Sequence, residues 1–293
     1  MKKIKSSELI INDDGSIFHL HLKPEHIADT VLLVGDPGRV DLVASYFDSV
    51  EVAIQNREFA TKTGMYNGKR ISVLSTGIGT DNIDIVVNEL DALVNINLET
   101  REVKKEHTSL NLVRIGTSGA LQGFIPVDSF VISEKSIGFD GMLNFYAERN
   151  SVSDLDFEKS FKEFVNWNPL LASPYVVDAS EELIDKIKGN SDKVIKGVNI
   201  SANGFYGPQG RILRLDTVDN DLNDKIEKFE FNNYKITNYE MESSAIYGLA
   251  NILGHKGATI CAIIANRITK DACADYKKTM KELIKYTLDQ LTK

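Results

Sequence analysis

The chain has 293 residues, of which 42% are hydrophobic and 26% are charged, and its formal net charge is −8. A chain of this length and composition can bury a large core as one α/β domain. The negative charge argues against general binding to nucleic acids or anionic membranes. An anionic small substrate would therefore have to be bound by a local group of arginines.

Cysteine usage and the N-terminal stretch indicate the compartment. Cys261 and Cys273 form no CxxC or Cys/His metal spacing, which predicts free thiols in a reducing cytosol. The stretch MKKIKSSELIINDDGS lacks the apolar region of a signal peptide, and no apolar run reaches the about 18 residues of a membrane helix. We therefore expect a cytoplasmic protein.

Short apolar runs alternate with segments of helical period along the chain. Strands are predicted over 31–35, 70–77, 110–119, 128–136, 173–180, 194–202, 234–240 and 258–264. Helices are predicted over 38–47, 82–94, 180–189, 241–253 and 274–291. This alternation predicts an α/β fold of three layers, in which helices flank a mixed, largely parallel central sheet. In open sheets of this class, ligands bind beyond the carboxyl ends of the strands.

The domain organisation is simple. No internal repeat, low-complexity tract or Pro/Ser-rich linker interrupts residues 1–293, so we expect a single domain. The polar segment 95–109, NINLETREVKKEHTS, is predicted to be a surface excursion between a helix and a strand.

Two strand-end motifs could bind an anion. In VGDPGR (34–39), Gly35 allows close backbone approach and Arg39 begins a helix. In VRIGTSG (113–119), Arg114 is an unusual charge inside an apolar strand and Thr117 adds a hydroxyl. A plain βα turn would also explain the first motif, and a structural salt bridge would also explain Arg114.

Two further motifs suit a sugar and a flat polar ring. In NYEMESSA (238–245), Glu242 could accept hydrogen bonds from sugar hydroxyls while Met241 packs on the sugar face, although carboxylates at a helix N-terminus are favourable in any case. In GFYGPQGR (204–211), turn residues surround Phe205, Gln209 and Arg211, an aromatic, amide and guanidinium set that could hold a heterocyclic base.

The stretch FHLHL (18–22) reads as a strand with His19 and His21 on the same side. Two histidines at this spacing could bind a metal ion, but no third ligand is evident in the sequence. We therefore expect no catalytic metal.

Taken together, GDPGR, STGIG, RIGTSG, GFYGPQGR, NYEMES and IIANR occur in the order found in the nucleoside phosphorylase-I family. From about Phe18 to its C-terminus the chain resembles the uridine-cleaving members of that family. The resemblance implies phosphorolysis of uridine to uracil and ribose 1-phosphate, as in pyrimidine nucleoside salvage. It implies no cofactor, because phosphate is a co-substrate and already a competent nucleophile.

The resemblance also implies three groups of site residues. They are Gly35, Arg39, Arg57, Arg114 and Thr117 for phosphate; His19, Met241 and Glu242 for ribose; and Ser118, Gly119, Phe205, Gln209, Arg211 and Arg267 for the base. Arg114, Gln209 and Arg211 would act in catalysis, the first by fixing phosphate and the others by stabilising negative charge on uracil.

Some of these residues are implied to serve a neighbouring subunit. His19 and Arg57 match residues that reach into a partner's site, so a homodimer is the expected minimum and a hexamer built as a trimer of dimers is the usual bacterial form. The resemblance also suggests a monovalent cation such as potassium at Glu58 and Ile78, although Asn82 stands where a serine ligand is expected.

Base selectivity leaves alternatives open. Purine-specific relatives have an aspartate where this chain has Asn266, which cannot protonate purine N7. This difference favours a pyrimidine. A purine nucleoside phosphorylase or a nucleosidase of the same fold remains the alternative, followed by a non-catalytic nucleoside-binding protein.

Overall fold

The structure is a computed structural model that describes residues 3–293. Its strands are β1 (Thr30–Val34), β2 (Ser49–Asn56), β3 (Phe59–Tyr66), β4 (Lys69–Ser75), β5 (Ile96–Asn97), β6 (Glu102–Val103), β7 (Asn111–Ala120), β8 (Phe130–Gly138), β9 (Tyr175–Asp178), β10 (Val194–Ser201), β11 (Glu230–Phe231), β12 (Tyr234–Glu240) and β13 (Lys256–Asn266). Its α-helices are α1 (Pro37–Ala44), α2 (Thr80–Asn95), α3 (Leu155–Val165), α4 (Glu181–Lys188), α5 (Leu222–Lys228), α6 (Ser243–Leu253) and α7 (Tyr276–Thr292).

The central sheet has the strand order β11-β12-β10-β8-β13-β7-β1-β4-β3-β2, with β9 paired to β8. Its centre is largely parallel, since β1 pairs in parallel with β4 and β7, and β7 does so with β13. The outer hairpin of β2, β3 and β4 is antiparallel. The predicted mixed, largely parallel sheet is therefore confirmed.

Apolar side chains on opposite faces of the sheet create the three layers. On β1, Val31 and Leu33 pack toward α2 and α6, whereas Leu32 and Val34 pack toward α1, α4 and α7. Strands buried on both faces read as continuous apolar runs, which explains the sequence VLLV. A third core cluster, which includes Phe157 of α3, covers the far end of the sheet.

The far half of the sheet is closed on itself. The end of β12 pairs with β10 and also, antiparallel, with the end of β7, where Asn238 faces Ala120 and Tyr239 faces Gly119. Strands β7, β13, β8, β10 and β12 thus form a ring. The Ser118 hydroxyl reinforces the closure, because it donates to the Tyr239 carbonyl at 2.5 Å and accepts from the Asn238 amide at 2.7 Å.

Several local predictions differ from the structure. Residues 18–22 form a turn, not a strand, and His21 adopts a φ of 56°. The pair β2 and β3 and the helices α3 and α5 were not predicted. The segment 95–109 contains the short antiparallel hairpin of β5 and β6. Among the described residues, no helix is both long and apolar enough to span a membrane.

Candidate active site

A cavity of about 410 Å³ opens at the carboxyl ends of β1, β7, β12 and β13. Among the residues predicted from sequence, it brings together Gly35, Arg39, Arg114, Thr117, Ser118, Gly119, Phe205, Gln209, Arg211, Met241 and Glu242, and Ile78 lines it as well. Three helix N-termini border it, because β1 leads into α1, β4 leads through Ile78 to α2, and β12 leads into α6. The rule that ligands bind beyond strand ends thus holds although the sheet is partly closed.

Two arginines give one end of the cavity a positive charge. Arg39 lies in the first turn of α1, whose N-cap residue Asp36 accepts from the Gly38 amide at 3.0 Å. The Arg39 guanidinium donates to the Ile115 carbonyl at 3.3 Å and so crosses toward Arg114 on β7. Burial and repulsion by Arg114 lower the pKa of Arg39. Two facing guanidiniums beside a helix N-terminus suit an oxyanion.

A buried ion pair joins this end to the middle of the cavity. Arg114 is only 8% exposed and bonds through Nη2 to the Glu242 carboxylate, while its Nη1 lies 3.5 Å from Glu240 Oε2. The other Glu242 oxygen accepts from the Gly79 amide at 2.8 Å. Glu240 accepts from the Ser201 hydroxyl and from the amides of Glu242 and Ser243. Glu240 was not among the predicted site residues, although Met241 and Glu242 were.

The charges of this cluster stabilise one another. Burial alone would lower the pKa of Arg114, but the carboxylates of Glu242 and Glu240 outweigh it and raise that pKa. Burial raises the pKa of Glu242, with Arg114 opposing and Glu240 adding to the shift. Cys261 lies beneath Arg114, and burial raises the pKa of its thiol to about 12. This thiol is therefore protonated at neutral pH and is not a nucleophile.

The segment 204–211, which we call the arch, forms the opposite end of the cavity. The Arg211 guanidinium lies 3.8 Å from the centroid of the Phe205 ring, and its Nη1 donates to Gln209 Oε1 at 2.6 Å. Burial, followed by repulsion from Arg267, lowers the pKa of Arg211. Arg267 is not a lining residue, but its Nη1 donates to the Gln209 carbonyl at 2.6 Å. An aromatic face, an amide and two guanidiniums meet here.

Besides Arg267, three predicted residues do not line the cavity of their own chain: His19, Arg57 and Glu58. His19 Nδ1 contacts Glu89 Oε1 at 2.6 Å, and Arg57 lies in the turn between β2 and β3, 5.9 Å from the Phe18 ring centroid. His21 Nε2 lies 3.3 Å from Asp14 Oδ2. Because His19 and His21 contact different carboxylates, they do not form a metal-binding pair.

The proposed cation ligands also have other partners. The Asn82 amide donates to Glu58 Oε1 at 3.3 Å, and Ile78 is an exposed residue of the same loop. Asn82 therefore turns its amide nitrogen toward Glu58. A monovalent cation at Glu58 and Ile78 stays a prediction.

Asn266 does not line the cavity. Its Nδ2 donates to the carbonyls of Gln122 and Ile125, while its Oδ1 accepts from the amides of Ile268 and Thr269. This buried amide is therefore fully used in holding the backbone after β13. Ile264 and Ala265, which precede Asn266 on β13, line the cavity.

Asp91, His107 and His255 form the one potential metal cluster found within residues 3–293. The Leu110 amide donates to His255 Nδ1 at 3.1 Å, so the ring proton sits on Nε2 and faces Asp91. His107 bonds to the Leu253 carbonyl at the end of α6. The ring nitrogen that would have to bind a metal is thus a donor, and we assign the cluster a structural role.

A family model described as the phosphorylase superfamily matches residues 29–289. The chain belongs to this family. It is 30% identical over 279 residues to a uridine phosphorylase of Thermococcus kodakarensis, which covers 92% of this chain and 85% of that protein. It is also 30% identical to a DeoD-type purine nucleoside phosphorylase of Listeria welshimeri, over 94% of this chain and 99% of that protein.

A solved structure extends the comparison. A nucleoside phosphorylase of Trypanosoma brucei, described as showing uridine phosphorylase activity, superposes with a TM-score of 0.88 at 28% identity and covers 97% of this chain and 99% of that one. The chain is therefore a nucleoside phosphorylase, a pentosyltransferase of the nucleoside phosphorylase-I type.

In this phosphorylase, sequence reasoning missed Tyr239 and Asn223. The Tyr239 ring lies 5.1 Å from the Arg267 guanidinium, and its hydroxyl contacts Asn223 on α5. Tyr239 stands beside the NYEMES glutamates and could have been found from that position. Asn223 lies in a short helix without a motif, and no sequence signal points to it.

Proposed function

We propose that this nucleoside phosphorylase cleaves uridine with phosphate, giving uracil and ribose 1-phosphate, in the salvage of pyrimidine nucleosides. The arch carries the proposal, because it brings Phe205, Gln209 and Arg211 to the end of the cavity opposite Arg39 and Arg114. Uracil has a flat face and a polar edge with one N–H between two carbonyls. A ring, an amide and a guanidinium complement that face and edge.

The chemistry follows from the charges. The C1′–N1 bond breaks with its electron pair left on uracil, and a phosphate oxygen bonds to C1′; the proton given up by phosphate ends on uracil. Positive charge develops on the sugar and negative charge on the base. Phosphate held by Arg39 and Arg114 stabilises the first, and donors from Gln209 and Arg211 stabilise the second. Glu242 would accept from the ribose 2′-hydroxyl while Met241 packs on the sugar.

We further propose that two protomers complete each site. His19 and Arg57 lie outside the cavity of their own chain, yet match residues expected at ribose and phosphate. A neighbouring copy that contributes both would add a third cation to the phosphate end. A dimer is then the smallest active unit.

A purine nucleoside phosphorylase is the second candidate, because the Listeria relative is as similar in sequence as the uridine phosphorylase of Thermococcus. Protonation of purine N7 needs an acidic group beside the base. On the arch and β13, the residues lining the cavity are Phe205, Gln209, Arg211, Ile264 and Ala265, and none of them is acidic. This favours the pyrimidine.

The test is a substrate panel of uridine, deoxyuridine, thymidine and inosine, each with and without phosphate. We expect phosphate-dependent release of uracil and ribose 1-phosphate from uridine, and a lower kcat/KM for inosine. Preference for inosine would establish the purine activity. Cleavage without phosphate would indicate a nucleosidase, and binding without turnover would indicate a nucleoside-binding protein.

A further inference from the structure

The main chain of Gln209 is held from two sides. Its carbonyl accepts from Asn223 Nδ2 at 3.2 Å and from Arg267 Nη1 at 2.6 Å. Gln209 is 4% exposed, and its side-chain Oε1 accepts from Arg211. The residue proposed to read the base edge therefore depends on groups outside the arch for its position.

Chemistry determines the orientation of the Asn223 amide. The Gln209 carbonyl can only accept, so Nδ2 must face it and Oδ1 must face Tyr239. Oδ1 then accepts from the Tyr239 hydroxyl at 3.0 Å. The Asn223 amide thus bonds through its nitrogen to the arch and through its oxygen to Tyr239 on β12.

Tyr239 and Arg267 complete a closed set of contacts. The guanidinium of Arg267 lies 5.1 Å from the Tyr239 ring centroid, a cation–π distance, while its Nη1 reaches the same Gln209 carbonyl as Asn223. A displacement of Asn223 would therefore disturb Gln209 directly and Arg267 through Tyr239. Neither Arg39 nor Arg114 takes part in these contacts.

The arch backbone is fitted to Asn223. Gly210 adopts a φ of 67°, and a Cβ built there would lie 2.2 Å from Asn223 Nδ2. Only glycine allows the amide to pack this closely against the chain. The contact is thus a close-packed one between α5 and the arch.

We propose that Asn223 is a positioning residue for base recognition: its amide fixes Gln209 and, through Tyr239, Arg267, without contributing to phosphate binding. This rests on the proposed function, in which Gln209 contacts the base. Asn223 itself does not line the cavity and is not a catalytic residue.

The decisive variant is Asn223→Asp, which keeps the size and the acceptor for Tyr239 but places a carboxylate against the Gln209 carbonyl. We expect the KM for uridine to rise about tenfold or more, the effect of losing one partly buried hydrogen bond. We expect the KM for phosphate to change by less than about twofold, because the arginines at the other end are untouched. Melting temperature is measured in parallel.

Tyr239→Phe keeps the ring beneath Arg267 and removes only the hydroxyl, so it should raise the uridine KM in the same selective way but less. The double variant should be non-additive, since both changes act through one side chain. Asp224→Asn, on the same helix but exposed, is the matched control and should leave both KM values unchanged. Equal changes in the two KM values, or an unchanged uridine KM in Asn223→Asp, would contradict the proposal.

The wild-type protein is assayed first, which separates this inference from the proposed function. If wild type does not cleave uridine with phosphate, the proposed function fails. Calorimetric titrations of uracil and of phosphate into wild type and Asn223→Asp then decide the inference. Weaker uracil binding with unchanged phosphate binding supports it; equal effects, or no uracil binding to wild type, contradict it.

Discussion

The buried pair of Arg114 and Glu242 links the proposed phosphate and ribose ends of the cavity. The two side chains are paired with each other, and Glu240 lies at the second edge of the guanidinium. If Glu242 binds a ribose hydroxyl, as we propose, Glu240 remains as the counter-charge of Arg114. Because two buried carboxylates surround Arg114, the guanidinium would keep one counter-charge when the other carboxylate binds substrate.

Arg114→Met should therefore affect stability as well as activity. It leaves two buried carboxylates without their cation, so the free energy of unfolding should fall by about 3–5 kcal/mol at pH 8. Burial already raises the pKa of Glu242, and the variant removes the cation that opposes this shift. A carboxylate with a raised pKa binds more protons when folded than when unfolded, so stability falls as pH rises and the deficit should be smaller at pH 5. Urea unfolding at both pH values measures this.

Arg39→Met is the control for this prediction. Arg39 also faces the proposed phosphate site, but it forms no ion pair within residues 3–293. It should lose phosphate affinity with little change in unfolding free energy. The double variant Arg114→Met/Glu242→Gln should regain part of the stability and none of the activity. Full stability of Arg114→Met at pH 8 would contradict the assigned role of the pair.

At the scale of one element, the arch contains a short 3₁₀ turn, Gly207–Gln209, followed by Gly210. Gly207 and Gly210 have different requirements. Gly210 has a left-handed φ and Asn223 packed against it, whereas a Cβ at Gly207 would meet nothing within 4 Å. Of these two positions, 210 requires glycine, whereas 207 would also accept a larger residue.

Gly210→Ala should strain the backbone by about 1 kcal/mol and displace Asn223 as well. We expect the uridine KM to rise about five- to tenfold, with phosphate KM unchanged. Gly207→Ala should match wild type in both. Steady-state kinetics of the pair, with each substrate varied in turn, tests this. Similar behaviour of the two variants would show that the arch geometry does not control base binding.

At the scale of the whole molecule, the cavity is incomplete if His19 and Arg57 serve a partner. We predict that Arg57→Ala and Arg114→Ala are each severely impaired and that a mixture regains activity after subunit exchange. Each mixed dimer would hold one intact site, so random mixing should restore about one quarter of wild-type activity. A mixture that exchanges subunits, verified by differently tagged chains, yet stays inactive would refute shared sites.

Much of the fold was predictable because its signals are local. Runs such as VLLV are buried on both faces of a parallel strand, and Asp36-Pro37 marks the start of α1. The edge strand β2 was missed because it is largely exposed and has no buried face. It is stabilised mainly by its hydrogen bonds to β3. The turn at 18–22 was missed because Glu89, far along the chain, accepts from its amides.

The sequence by itself determined the family, the layered α/β architecture and the motifs that end at strand tips, because each depends on residues adjacent in the chain. Tertiary structure alone decided three features: the ring closed by β12 and β7, the hydrogen bonds of the Asn266 side chain to backbone carbonyls, and the contact of Asn223 with the arch. These depend on hydrogen bonds between residues far apart in sequence, and no local pattern encodes such a partner.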